Sequence, residues 1–205
     1  MTERELTSMK MDILREIGNI GTGHATSALS VMLNSNLRME MPVVKLVDFN
    51  ELADMVGGPE TIVTAVLTRF TGGIEGMILF ILELEEAKNL AGTMLSKKYP
   101  DDFAGFDDLD KSALKEVGNI LMSSYVSSIG ALTNMNLRTD PPAICVDMAG
   151  AVLSLPISEL GQVGDEALII DSKFLDNERP INGFLMFVSD EEASDSIVKS
   201  LGIGC

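Results

Sequence analysis

Apolar residues recur at helical spacing over about 6–33 and again over about 109–132. Each stretch runs into an asparagine pair that fits a helix stop, Asn34-Ser-Asn36 and Asn134-Met-Asn136. β-rich runs follow at about 39–48, 61–70 and 74–83, and again at about 143–154, 166–172 and 181–188. A short turn of helix is predicted after the first strand of each half, around 51–55 and 158–160. A further helix closes each half, at about 85–96 and 190–201. Gly72-Gly73 marks a tight turn between two strands. The pattern predicts an α+β fold with pseudo-two-fold symmetry, two long helices lying on an antiparallel-rich sheet of about six strands. The short strands of either half alone would leave an exposed edge, so pairing across the halves is expected.

The two patterns are copies. Laying residues 12–42 over 112–142 without a gap gives eleven identities in thirty-one positions, where chance gives roughly two. Ile74–Phe80 continues the match to Ile181–Phe187, and each is followed, after a one-residue slip, by Glu-Glu-Ala. The chain therefore reads as a single domain, 1–205, made of repeats at about 1–100 and 101–205, with the boundary near 99–107.

Repeated apolar positions are required of any duplicated core; repeated polar positions on a helix face need another reason. On a helical wheel with Asp12 at zero, Glu16 falls at about 40° and Asn19 at about −20°. Ser112, Glu116 and Asn119 repeat that stripe. Ile13, Ile17, Ile20 and His24 cluster at about 80–140°, which predicts the packing face and a packed His24. Gly18 and Gly118 precede the two asparagines. Glycine inside a helix costs up to ~1 kcal/mol relative to alanine, so its recurrence implies that something approaches the backbone closely, a strand of this protein or another molecule.

Charge narrows the function. Thirty-one acidic against fifteen basic residues give a formal charge of −16, of which −12 falls in residues 101–205. Such a surface suits neither nucleic acid nor an anionic membrane. The longest wholly apolar run, Met77–Leu82, is far short of the ~20 residues of a membrane helix. With no signal-peptide pattern at the N-terminus, a cytoplasmic protein is expected. Asp101, Asp102, Asp107, Asp108 and Asp110 read as a solvated linker with carboxylates capping the next helix. The single histidine, and the lack of a Gly-x-Ser-x-Gly elbow, argue against a nucleophilic triad. Zinc ligands and a calcium loop are missing from the pattern, and Gly18–Gly23 lies inside a helix with no strand before it, so it is not a phosphate loop. Cys145 is expected in the core. The thirteen methionines are expected chiefly to fill a core that has no tryptophan.

Asp12-x3-Glu16-x2-Asn19-x22-Pro42 and Ser112-x3-Glu116-x2-Asn119-x22-Pro142 resemble the [Asp/Ser]-x3-Glu-x2-Asn-x22-Pro signature of the CheC/CheX/FliY phosphatases. The resemblance implies hydrolysis of the aspartyl phosphate of the chemotaxis response regulator CheY at two pseudo-symmetric sites. It implies that Asn19 and Asn119 orient the attacking water, and that Glu16 and Glu116 pair with a lysine of the regulator. Asp12, Pro42, Ser112 and Pro142 complete the motif. A carboxylate beside a phosphoryl group repels it unless a cation intervenes, so the substrate must bring its own: no cofactor is expected in this chain, and Mg2+ is expected on the regulator. The same resemblance implies a second partner, the receptor deamidase CheD, and with it an alternative role as a non-catalytic adaptor.

Overall fold

The computed structural model describes residues 3–33, 38–40, 42–48, 51–100, 102–160, 166–176, 179–189, 196–197 and 200. The first repeat runs α1 (Glu3–Leu33), β1 (Arg38–Met39), β2 (Val43–Asp48), α2 (Leu52–Met55), β3 (Ile62–Thr71), β4 (Gly76–Glu83) and α3 (Leu84–Leu95). The second runs α4 (Asp108–Thr133), β5 (Arg138–Thr139), β6 (Ala143–Met148), α5 (Ala149–Leu160), β7 (Glu166–Asp176) and β8 (Arg179–Ser189). Of the closing helix expected at about 190–201, Ser196, Ile197 and Ser200 are helical; the rest lies outside the described residues.

Among the described residues there is one antiparallel sheet of eight strands, two of which are only two residues long. The six longer strands match the expected number. Their order interleaves the repeats. β1 and β2 of the first pair with β7 of the second, β5 and β6 of the second pair with β3 of the first, and β4 and β8 join at the centre. At that centre Leu79 faces Met186, flanked by Ile78↔Phe187 and Phe80↔Leu185. The matched segments Ile74–Phe80 and Ile181–Phe187 make Leu79 equivalent to Met186, Ile78 to Leu185 and Phe80 to Phe187. The pseudo-two-fold axis therefore passes through the Leu79–Met186 pair. Neither repeat completes its own sheet, because its first long strand has its partner in the other.

The sheet is covered on both faces, which is why β4 reads as an unbroken apolar run rather than an alternating one. On one face Ile78, Phe80, Leu82, Leu168 and Ile170 meet Leu14, Ile17 and Leu29 of α1, Leu114, Leu121 and Tyr125 of α4, and Leu90 of α3. On the other, Ala65, Leu79, Ile81, Ile169 and Met186 meet Leu52 of α2 and Val152 and Leu153 of α5. Gly72 and Gly73, at φ of 120° and 118°, turn the chain between β3 and β4 as expected. Asn134 caps α4 in the left-handed conformation, and its N–H donates to the Gly130 carbonyl. Asn34 falls outside the described residues.

Two expectations are corrected. The strand expected over 143–154 ends at Met148, and Ala149–Leu160 is helix. The cause is the spacing of its buried residues: Ala149, Val152, Leu153 and Pro156 recur with the helical period, although the segment is apolar enough to resemble a strand. The buried face of α1 also lies elsewhere. It is formed by Leu14, Ile17, Gly18, Gly21, Thr22, Ala25 and Leu29, whereas Ile13 and Ile20 are half-buried and His24 is exposed. Close helix–sheet and helix–helix approach selects small residues, so Gly18, Gly21, Thr22 and Ala25 share the packed face with Leu14, Ile17 and Leu29.

Candidate functional site

Each motif stripe stands on a helix whose opposite side is pressed against the sheet. A Cβ at Gly18 would lie 2.8 Å from Val44 Cγ2 and 3.6 Å from Pro42 Cγ; one at Gly118 would lie 2.7 Å from Val66 Cβ. What approaches the two glycines is thus a strand of this protein. The contact also assigns Pro42 a place, against α1 beneath the motif. Gly21 meets the ring of Tyr125, whose hydroxyl and that of Thr22 form a buried hydrogen bond of 2.6 Å joining α1 to α4.

With the backbone held from below, the polar stripe faces out. Asp12, Glu16 and Asn19 are exposed, as are Ser112 and Glu116, while Asn119, Pro42 and Pro142 are half-buried. Asp12 accepts a hydrogen bond of 3.0 Å from Arg15 Nη1. The side chains of Glu16, Asn19, Glu116 and Asn119 make no hydrogen bond or ion pair among the described residues; the Asn119 backbone carbonyl accepts from Ser123 Oγ. Each stripe lies on a largely exposed helix face. Its residues line neither the polar concavity of about 600 Å³ along α3 and the loop after it nor the apolar cleft under α2 and α5. A face of this kind suits a macromolecular surface better than a small molecule, which takes a concave site.

The second stripe begins on an anchored helix end, where the carboxylate cap expected of the acidic cluster is present. Asp107 is the N-cap of α4: its Oδ1 accepts from the Asp110 N–H at 2.9 Å, and Asp110 Oδ2 accepts from the Asp107 N–H at 3.0 Å. Asp110 is 1% exposed and also accepts from Lys97 Nζ at 2.9 Å and from the Tyr99 hydroxyl at 2.7 Å. Lys97 further reaches Asp107 at 2.8 Å. The hydrogen bond and charge of Lys97 hold the Asp107 carboxyl down at about 2, and the two carboxylates raise the Lys97 ammonium above the usual lysine range. Burial, with the bond to Asp110, raises the Tyr99 hydroxyl. Tyr99, Phe103 and Phe106 stack edge to face beside it. The solvated-linker expectation thus holds for Asp102 and Asp108, which are exposed, and fails for Asp110; Asp101 lies outside the described residues. The signal was the Asp-x-x-Asp spacing of a capping box ahead of an apolar run.

The remaining candidates fall away from the stripes. Cys145 is half-buried on β6 against the α5 side of the core, and burial raises its thiol. No described helix is long and apolar enough to cross a membrane. Among the described residues no cluster of three His, Cys, Asp or Glu side chains could hold a metal ion.

The family model described as CheC-like matches residues 9–46 and 109–146, the two motif helices with the strands after them. The CheY-P phosphatase CheC of Bacillus subtilis is 35% identical over 94% of this chain and 94% of its own. The flagellar motor switch phosphatase FliY of the same organism is 27% identical over 68% of this chain, a segment spanning 36% of FliY. In structure, Thermotoga maritima FliY superposes with a TM-score of 0.71, covering 98% of both chains at 18% identity. CheX in its complex with CheY, BeF3 and Mg2+ from Borrelia burgdorferi superposes with a TM-score of 0.50, covering 82% of this chain and 94% of the other at 21% identity. A repeated motif, an interleaved sheet and this identity over nearly the whole length agree: the chain belongs to the CheC-like family.

Proposed function

We propose that this protein is a phosphatase of the chemotaxis response regulator CheY, acting on its aspartyl phosphate at two sites, Glu16/Asn19 on α1 and Glu116/Asn119 on α4. The observation that carries the reading is that two matching helices each present a carboxylate and a carboxamide about one turn apart, three of the four exposed and Asn119 half-buried, with no hydrogen bond or ion pair from these side chains among the described residues. Its relative CheC bears the name of a CheY-P phosphatase, and the CheX complex holds CheY with BeF3 and Mg2+. Hydrolysis of a phosphoryl group proceeds mostly by positioning and charge stabilisation. A carboxamide oxygen accepts from water while its NH2 donates to an equatorial phosphoryl oxygen, so one asparagine aligns the nucleophile. Glu16 and Glu116 receive a cation of the regulator, and the Mg2+ arrives with the regulator. Both sites belong to one cytoplasmic domain, since each repeat depends on the other for its sheet.

The test is phosphate release from labelled CheY-P. Asn19→Ala together with Asn119→Ala is expected to return the decay to the regulator's own rate, while each single variant keeps the turnover of the other site. These side chains touch little, so stability should change by less than about 0.5 kcal/mol. Undiminished turnover in the double variant would defeat the proposal. Retained CheD binding with no dependence of turnover on either asparagine would instead favour the adaptor role.

A further inference from the structure

Both repeats carry a cation that the proposed mechanism leaves unused: Arg15 and Lys115, each four residues before its asparagine. Residues four apart on a helix are surface neighbours, with Cβ atoms ~5–6 Å from one another. Each cation therefore borders the place where the phosphoryl group would sit. Their situations differ. Arg15 donates to Asp12 at 3.0 Å, with the two side chains 60% and 69% exposed. The position matching Asp12 is Ser112, which has no charge to offer. Lys115 is half-buried and has no hydrogen bond or ion pair among the described residues. A lysine stem can lie along the helix while its ammonium stays in water.

We propose that Lys115 is a specificity-determining contact for the phosphoryl group at the second site, and that the first motif residue decides whether this cation is available. Asp12 holds Arg15 back at the first site; Ser112 leaves Lys115 free at the second. The inference rests on the phosphatase reading and deepens it. Counting the first motif residue, the cation and the glutamate, the first stripe has a net charge of −1 and the second is neutral. A dianionic phosphoryl group is therefore better received on α4. The stripe borders solvent and Lys115 is only half-buried, so the contact is screened and its effect on affinity is modest.

Single-site proteins separate the two stripes. Asn19→Ala leaves the α4 site, and Asn119→Ala the α1 site. In the first background Lys115→Met, which keeps the apolar stem, is expected to raise KM for CheY-P about three- to ten-fold at low salt with kcat nearly unchanged. Lys115→Arg restores it, and Ser112→Asp raises KM about two- to five-fold by capturing Lys115. In the second background Asp12→Ser lowers KM by a similar factor. All of these differences shrink below about two-fold in 0.5 M salt. Unchanged KM in both Lys115→Met and Ser112→Asp overturns the proposal, as does a loss that persists in high salt, which would mark packing. If neither single-site protein turns over CheY-P, the phosphatase reading has failed. Binding of beryllofluoride-loaded CheY by the wild type and by Lys115→Met at two salt concentrations then decides the charge contact, and equal affinities sink it.

Discussion

The two motif helices present matching polar stripes from different foundations. α4 starts at a capping box whose Asp110 is buried and tied to Lys97 and Tyr99. In the first repeat the matching residues are Thr7 and Lys10, so that set of bonds has no chemical counterpart. Ser112 lies four residues past the first residue of α4, whereas Asp12 lies nine past that of α1. The second stripe is thus held close to an anchored helix end, and the first lies deep in a longer helix. Duplication kept the outward side chains and the glycines beneath them, while the means of holding each helix diverged. What the halves share is the polar stripe and the glycine that lets each helix sit close to a strand.

Breaking the anchor should give the largest difference in stability. Asp110→Ala leaves Lys97 and the Tyr99 hydroxyl without their shared acceptor and takes away one arm of the capping box. Loss of one member of a buried, charged hydrogen-bond network typically costs about 2–4 kcal/mol. The effect should appear in urea unfolding. Turnover by the α4 site, measured in an Asn19→Ala background, should fall more than turnover by the α1 site in an Asn119→Ala background. Equal losses at both sites would show that the anchor serves the whole fold and not the second stripe.

The glycines give a smaller and sharper contrast. At Gly118 an added methyl meets Val66 Cβ at 2.7 Å, an atom fixed to the backbone of β3. At Gly18 the nearest atom, at 2.8 Å, is a terminal methyl of Val44, which can rotate away. Overpacking costs about 1–3 kcal/mol, against which replacing a helix-interior glycine returns up to ~1 kcal/mol. Gly118→Ala should therefore destabilise by about 1–2 kcal/mol and Gly18→Ala by less than about 1 kcal/mol. Equal midpoints in thermal unfolding would mean that β3 yields as readily as β2.

Much of this was legible in the residues, and what escaped has a common cause. The repeat, the stripes, the Gly72-Gly73 turn and the pairing across halves all follow from identities at fixed spacing and from unpaired edges. The packed face of α1 lies away from the one read in the sequence because hydrophobicity ranks Ile13 and Ile20 above Gly21, whereas contact with the Tyr125 ring needs smallness. The helical turn expected at 158–160 is the end of α5, but its first half, 149–154, reads as strand because it continues the apolar run of β6 with few polar positions to mark a period. The acidic cluster reads correctly as a helix cap, but the burial of Asp110 is not legible there because its partners, Lys97 and Tyr99, lie more than ten residues earlier, where local charge counting does not reach.

The smallest expected effect tests the same helix end by pH. Asp107 has its pKa lowered from an ordinary 3.8 to about 2, so its contribution is full above about pH 4 and is lost as the pH falls toward 2. Lys97 is shifted upward, so its contribution is full below its ordinary 10.5 and is lost only at higher, strongly alkaline pH. Between those limits the pair should make stability no more pH-dependent than its neighbours do. Asp107→Ser keeps a capping oxygen for the Asp110 N–H but removes the carboxylate that faces Lys97. The stability difference between wild type and Asp107→Ser should stay constant from pH 9 to pH 5 and narrow as the pH drops from 4 to 2. A difference that does not change across the acid range would mean that Asp107 acts only as a neutral cap, and the second helix would then owe its firm start to buried Asp110 alone.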